Sequence, residues 1–253
     1  MSKNEIKKNK KNLLLKISIV ILALIFVVSA VMLTIHLWPE KKVVEVSSTV
    51  SKTAQLPENP INFTELKAKN PDIEAYIKVP GTVIDYPVLR SGEEKDTNYY
   101  LNHDETGKYK FAGSVYMQKI NSADFSDRNT VLYGHNMLNG SMFASVHKFK
   151  NKEFFDKNRT IYIYTPGHIL TYEIYSCFVY DDRHILNSFD FSNDEQYQNF
   201  LNTTLNPASM VQQVNKNIKV DTASKIITLS TCTSKDNERL LLLGVLKNDQ
   251  STK

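Results

Sequence analysis

Cysteine is scarce in this chain of 253 residues: only Cys177 and Cys232 are present. Neither has a second cysteine or a histidine at ligand spacing, so the sequence implies no metal site. Two cysteines also rule out a disulfide framework and leave at most one bridge, Cys177–Cys232. Charge of one sign is lacking over most of the chain as well. The net charge is +4, but six of the 31 basic residues and only one of the 27 acids lie in residues 1–38. The remainder carries a net −1, which gives no electrostatic reason to expect a nucleic-acid partner. No internal repeat is present.

What is there begins with a long apolar run. Ile17–Leu37, "ISIVILALIFVVSAVMLTIHL", is 21 residues without Asp, Glu, Lys or Arg. About 20 apolar residues suffice to span a hydrocarbon core. Lys3, Lys7, Lys8, Lys10, Lys11 and Lys16 precede it, and Trp38 with mixed charges follows. This pattern predicts a membrane anchor with a cytoplasmic N-terminus and the rest of the chain outside. A cleaved signal peptide would have a shorter apolar region ending in a small-residue site, whereas Pro39-Glu40-Lys41-Lys42 follows here. The expected division is a basic tail (1–12), an anchor (13–38), a stalk (39–60), a folded domain (61–247) and a C-terminal tail (248–253).

Within the domain a short helix is expected after Thr64, halted before Pro71, and a second helical turn or a strand entry near Ile73–Ile77. From Thr82 onward the segments "TVIDYPVL", "GSVYM", "NTVLYG", "TIYIYT", "ILTYEIYSCFVY", "KIITLST" and "RLLLLGVL" are rich in β-branched and aromatic residues and read as strands. Thr165-Pro166-Gly167-His168 marks a turn. Two helices interrupt the strands. In "GSMFASVHKF" Met142, Phe143, Val146 and Phe149 fall at helical spacing. "SNDEQYQNFLNTTL" (192–205) opens with Ser192 and Glu195 at capping-box spacing. Many short strands with few helices predict a mainly β fold closed into a barrel, which leaves no exposed edges.

Cys232 ends one apolar run, and Arg239 opens the next after six polar-rich loop residues. That spacing suits two adjacent antiparallel strands and brings both side chains to one end of the barrel. A cysteine attacks as its thiolate and needs a base or cation nearby. Of the six histidines, His36 lies in the apolar run, and His103, His147, His168 and His184 have no second signal. His135 follows Gly134 at the end of "NTVLYG", where a side chain can project from a rigid strand into a cleft. Arg239 presents a fixed fork of donors that can stabilise the negative oxygen formed when a thiolate attacks a carbonyl. The plainer alternative is an arginine paired with Glu238 or Asp236, contributing about 0–1 kcal/mol. Cys177 shares its expected strand face with Tyr175 and Val179 and reads as a buried, inert thiol.

"TLSTC" followed by a strand-opening arginine, with "LYGHN" upstream, resembles the sortases, membrane-anchored cysteine transpeptidases of Gram-positive bacteria. The similarity covers roughly 61–247 and is strongest to class B, through "NPDIEAYIKVPGTVIDYPVL", "NYYLNHD", "GSVYM" and "YGHNMLNGSMF". It implies a sortase-type barrel with N-terminal helices and an inserted helix between late strands, here 192–205. It implies Cys232 as nucleophile, His135 as general acid/base and Arg239 as stabiliser of substrate or oxyanion, with Asn98, Ser230 and Thr231 near the substrate. The implied reaction cleaves an Asn-Pro-X-Thr-like sorting signal of an exported protein and passes the acyl group to a peptidoglycan-precursor amine, without a cofactor. A pilus-assembling sortase using a pilin lysine, and a non-enzymatic surface binding module, are the alternative readings. Two positions depart from the family pattern: Tyr76 stands where many relatives have Trp, and Thr233-Ser234 follow the cysteine where some carry an acid.

Overall fold

The strands identified by their β-branched and aromatic content pair into one sheet that closes on itself. The computed structural model describes residues 56–253; the apolar run, its basic tail and most of the stalk lie outside them. Among the described residues no helix is long and apolar enough to cross a membrane. Among the described residues there are nine strands: β1 (Ile73–Lys78), β2 (Asp85–Arg90), β3 (Val115–Met117), β4 (Asn129–Tyr133), β5 (Thr160–Thr165), β6 (His168–Asp181), β7 (Gln212–Val214), β8 (Ile226–Cys232) and β9 (Glu238–Ser251). Their order is β5-β1-β2-β3-β4-β8-β9-β6-β7, and β5 also pairs with β6. Eight strands thus form a closed barrel, and β7 is added outside the ring on β6.

The burial pattern follows from what covers each face. β5 alternates strictly between buried and half-buried residues, with its inward side chains in the barrel core. In β8 every residue from Ile226 to Thr231 is buried, because both faces are covered. Ile227 and Leu229 pack inside with Leu240 and Leu242. Ile226 packs outside with Leu241, Leu243 and Val245 against Tyr197, Phe200 and Leu201. Those aromatics belong to a helix, so the outer face of β8 and β9 is as dry as the inner one. This is why both strands read as continuous apolar runs.

The helices are α1 (Phe63–Lys69), α2 (Lys152–Lys157), α3 (Ile185–Ser188) and α4 (Asp194–Leu205), with 3₁₀ turns at Tyr99–Leu101 and Phe143–Lys150. Several expectations are corrected. Of the two alternatives at Ile73–Ile77 the strand is the one adopted, and among the described residues one helix, rather than the several expected, precedes β1. The inserted helix is α4, but Ser192 and Glu195 form no capping box. Asn193 is the N-cap, and its side-chain oxygen accepts from Gln196 N–H at 3.0 Å. Ser192 turns back instead to the Asp190 carboxylate. An Asn side chain caps as well as Ser, and the one-residue shift leaves Glu195 out of position. The segment after Gly140 winds as 3₁₀ rather than α. A register shift in β6 between Ile174 and Ser176 turns Tyr175 outward to α4, while Cys177 stays in the barrel core. The two do not share a face. Finally, β9 runs through 248–251, residues read as a tail, because the start of β6 offers partners His168–Thr171 there.

Candidate active site

The loop between Cys232 and Arg239 closes a hairpin. β8 and β9 are antiparallel with Ser230↔Leu241, Thr231↔Leu240 and Cys232↔Arg239 as partners. Directly opposed residues share a face with their Cβ atoms about 4.5–5.5 Å apart. On its other side β8 pairs in parallel with β4, Tyr133 opposite Ser230. Gly134 N–H extends that ladder to Ser230 O at 3.3 Å. Two more residues in this register bring His135 level with Cys232. Histidine, cysteine and arginine therefore stand in a row across three neighbouring strand ends, and all three line one cleft of about 340 Å³. Because Ile227 and Leu229 face the barrel interior, Ser230, Cys232, Leu241 and Arg239 face outward.

The histidine is oriented from two sides. Its Nε2 lies 2.8 Å from Leu101 O; a carbonyl only accepts, so Nε2 carries the proton of the neutral ring. Nδ1 makes no hydrogen bond among the described residues and is left to take or give a proton. Phe111 stacks on the imidazole, centroids 5.7 Å apart at 22°. The glycine before it is required by packing: a Cβ on Gly134 would fall 2.7 Å from the Phe143 ring. Only a residue without one lets the chain leave β4 here.

Cys232 is a free, exposed thiol, and Cys177 is free and buried. Burial pushes the Cys177 thiol up to about 12, so it remains protonated at neutral pH and acts as a packing group. Arg239 does not make the surface pair that the plainer reading expects. Its Nη1 donates to the backbone carbonyls of Asp236 at 2.8 Å and Glu238 at 3.0 Å, while the Glu238 carboxylate pairs with Lys235. Nε and Nη2 make no hydrogen bond among the described residues. One arm of the fork thus ties down the loop, and the rest is free for a ligand.

Asn98 lies in the cleft wall, with its side-chain oxygen accepting from Gln118 Nε2 at 2.7 Å and Tyr116 OH at 3.3 Å. Ser230 borders the cleft on the Cys232 face. Thr231 also borders it, but strand alternation points its side chain inward, where Oγ1 is buried without a partner. Of the cleft residues that escaped the sequence reading, Tyr133, Gln118 and His184 are the most informative. Tyr133 lies two residues before His135, so strand periodicity places it on the same face and could have found it. Gln118 and His184 gave no such signal: Gln118 follows β3 and His184 precedes α3, and they meet by a short side-chain bond across the cleft. Burial lowers the pKa of His184 and, above all other influences, that of His147. His147 Nε2 sits 3.0 Å from Cys232 O.

A closed barrel with a thiol, an imidazole and a guanidinium in one row at its strand ends defines a class, the β-barrel cysteine acyl-transfer enzymes. The chain belongs to the sortase family and is a sortase B-type cysteine transpeptidase. The Sortase domain model matches residues 77–247. The chain is 34% identical over 188 residues to sortase B of Listeria monocytogenes, covering 72% of each chain. It is similar to the X-ray structure of Clostridium perfringens sortase B, with TM-score 0.66 and 32% identity over 74% of this chain and 100% of that one. It is also similar to a Staphylococcus aureus sortase B–substrate complex, with TM-score 0.65 and 28% identity over 74% of this chain and 84% of the other.

Proposed function

We propose that Cys232 is the nucleophile of the transpeptidation, His135 its general acid/base and Arg239 the oxyanion and substrate stabiliser. The observation that carries this is the register: Cys232 is paired with Arg239 on β9 and level with His135 beyond β4. His135 Nδ1 takes the proton of the Cys232 thiol, and the thiolate attacks the carbonyl carbon after the Thr of an Asn-Pro-X-Thr-like sorting signal. Charge gathers on the carbonyl oxygen, where the free donors of Arg239 meet it. As the tetrahedral intermediate collapses, His135 Nδ1 gives the proton it took from the thiol to the leaving amine, the C–N bond breaks, and a thioester remains on Cys232. An incoming amine attacks the thioester, His135 takes a proton from it, and the thiolate leaves.

The substrates are exported proteins that carry a sorting signal, a reading supported by the likeness to a sortase B–substrate complex. Asn98, Ser230 and Thr231 border the path of the bound peptide. The acceptor is an amine of a peptidoglycan precursor. The enzyme works outside the cell membrane, held there by the Ile17–Leu37 run. The test is incubation with a sorting-peptide library and mass detection of the acyl-enzyme, then of products with a peptidoglycan-type amine and with a lysine peptide. A thioester on Cys232 with Asn-Pro-X-Thr-like peptides and release by the first amine is the expected result. Release by the lysine peptide alone points to pilus assembly, and the absence of any Cys232 adduct overturns the assignment.

A further inference from the structure

The peptide groups of β8 alternate between its two neighbours. At its lower end Leu246 N–H donates to Lys225 O on the β9 side at 2.9 Å, and Ile226 N–H donates to Arg128 O on the β4 side at 2.8 Å. Even-numbered residues therefore turn to β4, and Ser230 O accepts from Gly134 N–H there. The same alternation directs the carbonyl of Cys232 to the β4 side. By that point β4 has ended. Asn136, whose amide is next in the ladder, is bridged to Met142 instead, and His135 O accepts from Phe143 N–H at 2.9 Å. The place of the missing strand is taken by a side chain: His147 Nε2 lies 3.0 Å from Cys232 O.

We propose that His147 is a positioning residue, which holds the peptide of the nucleophile in register with the segment that carries the base. The proposal rests on Cys232 being the nucleophile. On the β9 side Cys232 is followed by two longer bonds, Thr233 N–H to Glu238 O at 3.4 Å and the Thr233 hydroxyl to the Glu238 carboxylate at 3.3 Å, and then by the exposed loop 234–237. The bond from His147 is therefore the close restraint on the last residue of β8. Its own support is firm. Phe143, Val146 and Phe149 on the same 3₁₀ turn are fully buried, and Gln213 Nε2 caps the turn at Lys150 O, 2.9 Å away. One continuous segment, 134–150, thus presents His135 to the thiol and grips the peptide behind the thiol. Burial favours the uncharged imidazole, so His147 holds the peptide without placing a charge beside the sulfur.

The experiment compares His147→Ala, His147→Leu and His147→Gln in single-turnover acylation and in steady state with a sorting peptide. A displacement of about 1 Å costs on the order of 100-fold in rate, so Ala and Leu should lower kcat by about 10–100-fold while KM changes by less than about twofold. Gln offers an N–H at similar reach and should recover to within about threefold of the parent rate. Alkylation of Cys232 by iodoacetamide should stay near the parent rate in all three, since a small probe needs no register. Leu keeps the volume of the ring and remains informative where Ala fails to fold. A wild-type acylation rate in Leu, or equal loss in Leu and Gln, overturns the proposal. Cys232→Ala in the same assay tests the nucleophile separately: turnover surviving in that variant refutes the catalytic assignment itself.

Discussion

Replacing Arg239 by alanine tests whether the guanidinium acts on the reacting carbonyl or only on the loop. Two of its five donors, those on Nη1, are committed to Asp236 O and Glu238 O. Three donors, on Nε and Nη2, remain for the charge that develops on the substrate oxygen. Removing one donor group of this kind lowers turnover by about 10²–10³-fold, equivalent to about 2.7–4 kcal/mol. The fold should lose much less, about 0.5–1 kcal/mol, because the side chain is half-exposed and lies outside the packed clusters. Arg239→Lys sharpens the test. An ammonium that reaches back to the two loop carbonyls has no second arm for the cleft, so lysine should restore the loop and only part of the rate. The assay is single-turnover acylation at saturating peptide, with circular dichroism and thermal unfolding on the same samples. A folded Arg239→Ala protein that acylates at the parent rate would show that the row of three is structural coincidence at its third member.

Other substitutions separate packing from chemistry. Cys177→Ala removes a fully buried sulfur and should cost about 1–2 kcal/mol by denaturant titration, with acylation of Cys232 unchanged; loss of acylation would contradict its role as packing group. Gly134→Ala forces a Cβ to within 2.7 Å of the Phe143 ring, and should cost about 1–3 kcal/mol together with a larger loss of turnover, since His135 and His147 both move. The histidines also make stability depend on pH. Burial holds the His184 and His147 pKa values below the ordinary value near 6.5, so the unfolded chain takes these protons more readily than the folded one. The contribution is intact above about pH 6.5 and is lost as pH falls through the lower folded values. His184→Gln should flatten the fall in Tm between about pH 7.5 and 5.5; an unchanged slope would remove His184 from the account.

How much of this was legible in the sequence depends on where the determining contact lies. Strands whose burial comes from their own residues, such as "TIYIYT" and "KIITLST", were visible in composition. β7 was not: its Gln212-Gln213-Val214 is polar and short, and it is extended only because Ser176–Phe178 of β6 offer an edge. The same holds for 248–251. The 3₁₀ turn left a trace that a helical reading blurs. Its fully buried residues, Phe143, Val146 and Phe149, recur every three residues, the period of a 3₁₀ helix, and Met142 beside them made the stripe look α-helical. The outward turn of Tyr175 left no trace, since the register shift in β6 is set by its long pairing with β9.

The site divides along the same line. Cys232 and Arg239 were legible as a pair because a hairpin joins them, and hairpin partners are fixed by local spacing. His135 was legible only as a strand end, because what makes it a neighbour of Cys232 is the parallel pairing of β4 with β8. That pairing joins segments 97 residues apart, a contact no local pattern encodes. His147 and His184 lie one step further off. Each is placed by a single side-chain bond, to Cys232 O and to Gln118, that exists only once the barrel has closed. The scaffold of the chemistry therefore reads from the chain in the order in which contacts become local: the hairpin first, then the strand end, and last the side chains that hold the thiol and the cleft wall in place. Variants at those last positions should accordingly alter turnover while leaving every sequence signature of the family intact.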